Sequence, residues 1–356
     1  MSFTKKPKLV ILKNEDPYDH LSWVKSCESI AEQINFSVVD ITESNWLDQI
    51  LLHNPDLCLL KPSGKTMLYR DLYEERIEIL VKELGLSVFP SLGEVKIYEN
   101  KRYFAYWAKA NNIPHPKTYV IYNKKEAREF VRSVEYPLVG KMNIGASGNG
   151  ILVIKDNINL SKYVEKAHNQ GIASRTGPKL NKGNIVKRLW KKVLNPSEFI
   201  NRLKTYKAIA TDKQIGYVIL QEFVPHQFEW RIVRIGDSFF AHKKIKIGDK
   251  ASGSLKKEYG NPPLKLLSLV KEITDKFKFF SQAVDVFETN NGDFLINEMQ
   301  CIFGQSDPHQ MIIDGNPGRY YWDNTDWIFE EGDFNTNQSY DLRLKYILDI
   351  LYHNNK

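Results

Sequence analysis

The chain carries two short apolar runs joined by a polar turn: QAVDVF at 282–287, NNGD at 290–293 and FLINEMQ at 294–300. Each run has the length and composition of a buried strand, and the turn is of the kind that joins the strands of a hairpin. Each strand carries one carboxylate, Asp285 or Glu298, and antiparallel pairing would place both on one face. Gln300 lies two residues beyond Glu298 and shares its face.

These two acids need compensation if they are buried. A buried carboxylate is costly unless it is paired or binds a metal ion. Two carboxylates with one neutral oxygen ligand suit Mg²⁺ that is held together with substrate phosphates. The stretch therefore offers Asp285, Glu298 and Gln300 as candidate metal ligands. The alternative is that both acids lie at strand ends in solvent, and the pair alone does not distinguish the two.

Composition limits the class of protein. The 356 residues are enough for two or three lobes, and the apolar fraction of 42% is ordinary for a globular protein. No apolar run approaches the roughly 20 residues of a membrane span, and the N-terminus has no secretory pattern. Three widely spaced cysteines without metal-ligand spacing predict a reduced, cytoplasmic compartment. The net charge of +7 favours an anionic partner but does not choose between nucleotide, phosphorylated substrate and nucleic acid.

The first 92 residues alternate strands and helices, which predicts a small parallel sheet with helices on its faces. This lobe has no Gly-x-Gly-x-x-Gly turn after its first strand, so we do not expect a dinucleotide domain. A continuous helix is predicted from Val95 to Asn111, and it carries Lys101.

A strand ending in Lys141 leads into a glycine-rich segment at 142–150, whose N–H groups could approach an anion. The alternative for this segment is a plain hairpin turn. The basic stretch at about 171–213 is either a solvated insertion or a flap over an anionic acceptor. A nucleic-acid patch is a weaker third reading, because aromatic residues for base stacking are few there.

The second half of the chain predicts more strands and two helices. A strand at 215–224 ends in Gln221 and Glu222, and FEWRIVRI at 228–235 pairs with the run at 239–246. In that last run His242, Lys244 and Lys246 share one face, and like charges in a row repel unless something anionic lies between them. Helices are predicted at about 262–279 and 342–352, with a loop rich in Asn, Asp, Gly and Trp at 303–333. The loops at 307–333 and the first lobe should set substrate choice.

The order of these parts resembles the ATP-grasp superfamily, in particular the branch of ribosomal-protein-modifying ligases and glutathione synthetase. The similarity runs from about Pro90 to Gly304. It implies an α/β (α+β) protein with a Rossmann-like N-terminal lobe at 1–92 and an ATP-grasp domain at 93–330. The latter includes a lid subdomain at about 114–224, and a helical tail follows at 331–356. The nucleotide would lie between two α+β subdomains.

The resemblance also implies site residues. The nucleotide would contact Lys101, Lys141, Gly145, Ser147, Gly148, Gly150, Gln221, Glu222, Val224 and Glu229. Among these, the two lysines would bind phosphates, the glycine loop would close over them, backbone groups of Glu222 and Val224 would hold adenine, and Glu229 would hold the ribose. Arg231, Lys244 and Lys246 would be catalytic. Asp285, Glu298 and Gln300 match the metal ligands, although the family usually has Asn where this chain has Gln300.

The activity implied is an ATP-dependent carboxylate–amine ligase that acts through an acyl phosphate. The cofactors would be ATP and Mg²⁺, with two ions expected and Mn²⁺ as a substitute. The partners would be a small-molecule or peptide carboxylate and an amine, with no membrane and no nucleic acid; a homo-oligomer stays open. The alternatives are an ATP-grasp kinase that phosphorylates a hydroxyl of a sugar or cyclitol, and a non-catalytic nucleotide-binding module.

Overall fold

The computed structural model describes residues 5–145, 150–173, 207–247, 250–303 and 307–354, with backbone only at 247, 250–255 and 353–354. Ser147, Gly148 and most of the predicted basic insertion lie outside the described residues. The chain divides into two compact units. The large unit comprises 1–64, 68–116 and 224–356, and the small unit comprises 65–67 and 117–223. None of the described helices is long and apolar enough to cross a membrane.

The N-terminal part of the large unit is a four-stranded parallel sheet in the order β2-β1-β3-β4. Its elements are β1 (Lys8–Lys13), α1 (Leu21–Glu28), β2 (Asn35–Asp40), α2 (Trp46–His53), β3 (Leu57–Leu59), α3 (Met67–Lys82) and β4 (Val88–Phe89). The inner strands are apolar, apart from the lysines at the two ends of β1, because helices cover both faces of the sheet. The predicted alternation of strands and helices is confirmed.

The predicted continuous helix from Val95 to Asn111 is wrong, because two helices occupy this stretch. They are α4 (Leu92–Ile97) and α5 (Lys101–Ala110). Glu99 between them has a left-handed φ of 47°, and the Asn100 side chain accepts the backbone N–H of Tyr103. An N-terminal cap of this kind starts a new helix, so Lys101 becomes the first residue of α5.

The small unit is a four-stranded antiparallel sheet in the order β5-β10-β6-β7. Its elements are β5 (Thr118–Ile121), α6 (Lys124–Ser133), β6 (Leu138–Lys141), β7 (Ile151–Ile154), α7 (Asn157–Asn169), β8 (Ile172–Ala173), β9 (Lys213–Gln214) and β10 (Val218–Glu222). Helices α6 and α7 pack with the sheet around a core that includes Leu138, Leu160 and Leu220. Strands β8 and β9 form a separate antiparallel pair.

The rest of the large unit is built on a larger, mostly antiparallel sheet in the order β15-β14-β11-β12-β17-β16. Its elements are β11 (Phe228–Ile235), β12 (Ser238–Ile247), β13 (Lys250–Glu258), α8 (Leu264–Phe277), β14 (Ser281–Glu288), β15 (Phe294–Gln300), β16 (Ile312–Ile313), β17 (Asn316–Trp322), β18 (Trp327–Glu331), a 3-10 helix (Thr336–Ser339) and α9 (Tyr340–Asn354). Strand β13 pairs with β12, and β18 pairs with β17.

The predicted hairpin is confirmed as β14 and β15, which Asn290 to Asp293 connect. The loop predicted at 303–333 is wrong, because three strands, β16 to β18, lie in it. Trp322 pairs with Trp327 across β17 and β18, and Tyr320 pairs with Phe329. Cross-strand aromatic pairs of this kind stabilise a sheet even where polar residues interrupt the apolar pattern.

Helix α9 belongs to the core of the large unit. Ile347 and Leu344 share one buried cluster with Leu9 and Ile11 of β1 and with Cys301 after β15. The C-terminal helix therefore packs against the N-terminal strand β1.

We expect Ile347→Ala to lower the free energy of unfolding by roughly 2–5 kcal/mol, because the residue is fully buried and its removal leaves a cavity. Lys345→Ala, on the exposed face of the same helix, should change it by less than about 0.5 kcal/mol. Urea denaturation of the two variants measures this. Equal stability of both variants would contradict the packing of α9.

Candidate active site

A buried cluster of charged side chains lies on one face of the large sheet. Arg231 donates two hydrogen bonds to Asp285, from Nε to Oδ1 at 2.8 Å and from Nη2 to Oδ2 at 2.9 Å. The Nζ of Lys244 lies 2.7 Å from Oδ2 of Asp285 and 2.5 Å from Oε2 of Glu229. Asp285 is only 2% exposed, so a bidentate arginine and a lysine compensate a nearly buried carboxylate.

The strand register explains why these residues meet. Arg231 on β11 is opposite His242 on β12 and opposite Asp285 on β14, and Asp285 is in turn opposite Glu298 on β15. Residues directly opposite each other point to the same face, so these four form one row across four strands. Glu229 and Lys244 form the next row.

The predicted row of cationic side chains on β12 is compensated, at Lys244, by carboxylates of the protein itself. Lys244 is held by Asp285 and Glu229, and burial keeps His242 neutral. Lys246 lies two residues further along β12, where the pairing with β13 shifts register.

Glu298 is the second carboxylate of the predicted metal pair. The cross-strand pairing with Asp285 is confirmed, and the register of the two strands shifts next to this pair. The Nζ of Lys101 lies 3.0 Å from Oε1 of Glu298 and 3.7 Å from Oε2 of Glu99. Gln300 donates from Nε2 to Oε1 of Glu99 at 3.3 Å. The break between α4 and α5 therefore brings Glu99 and Lys101 to the end of β15.

The charges in this cluster support one another. Burial would raise the pKa of Asp285, but the nearby Arg231 and Lys244 outweigh burial and hold it well below its usual range. Burial lowers the pKa of Lys244 and of Lys101, but the neighbouring carboxylates outweigh it and raise both above the usual value. All three charges are therefore present at neutral pH.

The oxygen donors of this cluster form only part of a metal site. No group of three or more His, Cys, Asp and Glu within the described residues could hold one by itself. Asp285, Glu298 and the amide of Gln300 nevertheless offer hard oxygen ligands, and Mg²⁺ commonly uses one or two carboxylates together with substrate phosphates. Arg231 and Lys244 already pair with Asp285, and Lys101 pairs with Glu298. A metal ion that arrived with nucleotide phosphates would bring anions for these three cations to bind in exchange.

Most of the remaining predicted site residues belong to the small unit. Lys141 ends β6 in the small unit and is buried, and Gly150 has a φ of 74° with Met142 so close that a side chain would not fit. Also in the small unit, Gln221 donates to Oγ1 of Thr118 at 3.0 Å, and Glu222 accepts from the hydroxyl of Tyr119 at 3.1 Å.

Gly145 is the last described residue before the gap, and Val224, in the large unit, accepts from His226 at 2.7 Å. Their nucleotide-binding roles stay predictions.

Sequence reasoning missed two residues of the cluster. Glu99 was hidden by the assumed continuous helix, although Asn100 before Lys101 is a cap signal that could have exposed the break. Asn297 donates from Nδ2 to Oε1 of Glu229 at 3.4 Å, and it does so from the position where the pairing of β14 and β15 shifts register. A bulge of this kind has no sequence signal here.

The comparison with solved structures confirms the predicted ATP-grasp fold. No protein-family model matches the chain, and no curated protein sequence matches it.

Many solved structures are similar to this chain, including the following three with bound nucleotide. An ADP complex of N5-carboxyaminoimidazole ribonucleotide synthetase has a TM-score of 0.53 and 13% identity, covering 86% of this chain and 72% of that one. The Staphylococcus aureus N5-carboxyaminoimidazole synthetase with ADP has a TM-score of 0.54 and 9% identity, covering 90% and 83%. The biotin carboxylase domain of Hydrogenobacter thermophilus 2-oxoglutarate carboxylase, with MgADP, ADP and bicarbonate, has a TM-score of 0.53 and 12% identity, covering 86% and 66%. At this identity the likeness shows the fold.

We expect Asp285→Asn to destabilise the protein by roughly 3–5 kcal/mol, because it leaves Arg231 and Lys244 buried with one anion fewer. Because the pKa of Asp285 is lowered in the folded state, its stabilising effect is present above the unfolded value of about 4 and is lost as pH falls further. The difference between variant and wild type should therefore be constant near neutral pH and shrink in acid. Urea denaturation across pH measures it, with Asp293→Asn in the exposed turn as control.

Proposed function

We propose that this protein is an ATP-dependent ligase that joins a carboxylate to an amine through an acyl phosphate, with Mg²⁺. The observation that carries the proposal is the buried row of Arg231, Asp285 and Glu298 with the adjacent Lys101 and Lys244. Phosphoryl transfer requires positioned cations around a site for a metal-bound phosphate, and this row provides them. The ADP, MgADP and bicarbonate in the similar structures support the same chemistry.

Each side chain has a proposed part. Asp285, Glu298 and Gln300 would hold Mg²⁺, which when bound neutralises charge on the nucleotide phosphates. Lys101 would bind a phosphate, and Glu229 would accept the ribose hydroxyls. Because Asp285 already bonds to Arg231 and Lys244, ligand binding has to share or exchange those contacts.

The catalytic part falls to the two cations of the row. Arg231 and Lys244 would stabilise the charge that develops on the transferred phosphoryl group, and Lys246 is a third candidate. The acyl phosphate must be shielded from water until the amine displaces phosphate. A small-molecule or peptide carboxylate, an amine and a cytoplasmic location complete the proposal. The number of metal ions, the use of Mn²⁺ and the oligomeric state stay predictions.

The activity is tested with a panel of carboxylates, Mg·ATP and hydroxylamine as a general amine. We expect ADP release that requires both the carboxylate and the amine, together with a hydroxamate product. A kinase would instead leave phosphate attached to a hydroxyl compound and form no hydroxamate. If neither the carboxylates with amine nor the hydroxyl compounds support ADP release, both enzymatic functions are contradicted.

Nucleotide binding is tested separately by thermal melting. Mg·ATP should raise the melting temperature, because a ligand at about 100 times its Kd stabilises the folded state by about 2.7 kcal/mol. ATP with a chelator should raise it less, because the carboxylates then lack the ion that carries the phosphates. A shift with NAD but none with Mg·ATP would overturn the nucleotide assignment.

The role of Glu298 is tested by Glu298→Gln, which keeps the shape of the side chain and removes its charge. We expect turnover to fall by about 100-fold or more, as for loss of one preorganised electrostatic contact. The melting temperature without nucleotide should change little, because the side chain of Glu298 is only partly buried. Glu272→Gln on the exposed face of α8 is the matched control. Wild-type turnover in Glu298→Gln would remove it from the site.

A further inference from the structure

His242 occupies the row of charged residues but has no part in the function proposed above. It lies on β12 directly opposite Arg231, which lies opposite Asp285. Its side chain is 1% exposed. Within the described part of the chain, its Nε2 is a buried polar atom with no hydrogen-bond partner. Buried polar groups are nearly always paired, so this nitrogen, next to a candidate site, is available to a ligand that donates a hydrogen bond.

The tautomer of this histidine follows from its other nitrogen. Nδ1 lies 3.2 Å from the backbone carbonyl of Gln310, and a carbonyl only accepts hydrogen bonds. Nδ1 therefore carries the proton. Burial, with the nearby Arg231 and Lys257, lowers the pKa of His242 to about 3, so the ring is neutral. The lone pair is on Nε2, which is then an acceptor and not a donor.

The segment that orients the imidazole is itself fixed. The Gln310 side chain is buried and donates from Nε2 to Oδ1 of Asn335 at 3.2 Å and to Oγ of Ser339 at 3.1 Å. Ser339 also donates to Asn335 at 2.7 Å. The carbonyl that holds His242 thus belongs to the 307–333 segment, which the sequence suggests for substrate choice. A nitrogen oriented in this way is a typical arrangement for contact with a nucleophile.

We propose that Nε2 of His242 accepts a hydrogen bond from an N–H of the amine that attacks the activated carboxylate, which rests on the ligase function proposed above. A neutral amine has one lone pair, so holding one of its N–H groups restricts the direction of attack. The amine nitrogen forms a bond to the acyl carbon while the bond from that carbon to the phosphate oxygen breaks, and the leaving phosphate takes the electron pair and the proton that the amine loses. Arg231, in the same row, would bind the phosphoryl group of the acyl phosphate on the side that the amine approaches. His242 then selects the nucleophile, whereas Arg231 and Lys244 serve the phosphoryl group.

Access to Nε2 requires movement of a neighbouring side chain, because the atom is covered in this structure. Tyr259 lies beside the imidazole, with ring centroids 6.1 Å apart, and its hydroxyl donates to the carbonyl of His309 at 3.2 Å. Tyr259 is 36% exposed, and its ring would be the side chain that moves to admit the amine.

Two substitutions of His242 distinguish the role of Nδ1 from the role of Nε2. His242→Asn keeps a donor for the Gln310 carbonyl and removes the distal acceptor, whereas His242→Gln keeps an acceptor near the position of Nε2. With hydroxylamine and a carboxylate active in the hydroxamate assay, kcat/KM for hydroxylamine should fall by about 100-fold in His242→Asn. It should stay within about tenfold of wild type in His242→Gln. KM for ATP and the Mg·ATP melting shift should be unchanged in both.

His309→Asn, the same exchange beside Gln310, is the control and should keep wild-type kcat/KM. Equal loss in His242→Asn and His242→Gln, or a parallel change in KM for ATP, would overturn the proposal in favour of a packing role. Wild-type kcat/KM in His242→Asn would also overturn it and leave the ligase function standing. A wild-type protein that forms no hydroxamate would overturn the ligase function and this role of His242 with it.

The tautomer is measured on the wild-type protein, which removes dependence on the folding of the variants. Nitrogen-15 NMR of histidine-labelled protein at neutral pH, with His242→Gln to assign the signals, should find Nδ1 protonated and Nε2 unprotonated. A proton on Nε2 would overturn the proposal without any activity measurement.

Discussion

The buried bond between Arg231 and Asp285 is the interaction on which the large unit depends. It links the two central strands β11 and β14, and Lys244 ties β12 to the same carboxylate. A buried ion pair contributes little net stability compared with apolar packing, yet removing one partner is strongly destabilising. The fold therefore keeps the cluster at a cost that packing alone would not require, and this indicates a functional reason.

A second buried network holds the strands that carry the cluster. Glu94 on α4 accepts the N–H of Ser281 at 2.8 Å, and Ser281 donates to the carbonyl of Cys301 at 2.5 Å. Arg343 on α9 donates from Nε to the same hydroxyl at 3.1 Å. Burial raises the pKa of Glu94 to about 7 and lowers that of Arg343 to about 10, which indicates how strongly this region excludes water. Helices α4 and α9 thus both fix the beginning of β14, and Ser281 links it to the end of β15.

The sequence predicted what depends on local pattern. The hairpin turn and the period of two brought Asp285 and Glu298 together, and the same period placed Lys244 on one face of its strand with His242 and Lys246. The sequence could not predict which side chain neutralises Asp285, because that depends on the register of β11 against β14. The partner, Arg231, is 54 positions away in the chain. The short helix break at Glu99 was missed because a single left-handed residue leaves no trace in apolar spacing. Neither the sequence pattern nor the packing of the structure establishes the roles that depend on a bound nucleotide.

The ion pairs also constrain how a ligand can enter. Both oxygens of Asp285 already accept hydrogen bonds, and Glu298 lies beside the cationic Lys101. A metal ion that reached this row alone would meet two cations next to one of its carboxylates, which opposes binding at close range. A metal ion that arrived with phosphates would bring anions for Arg231, Lys244 and Lys101 to bind in exchange. If the proposed ligase function holds, these charges would favour joint entry of metal and nucleotide over entry of either alone.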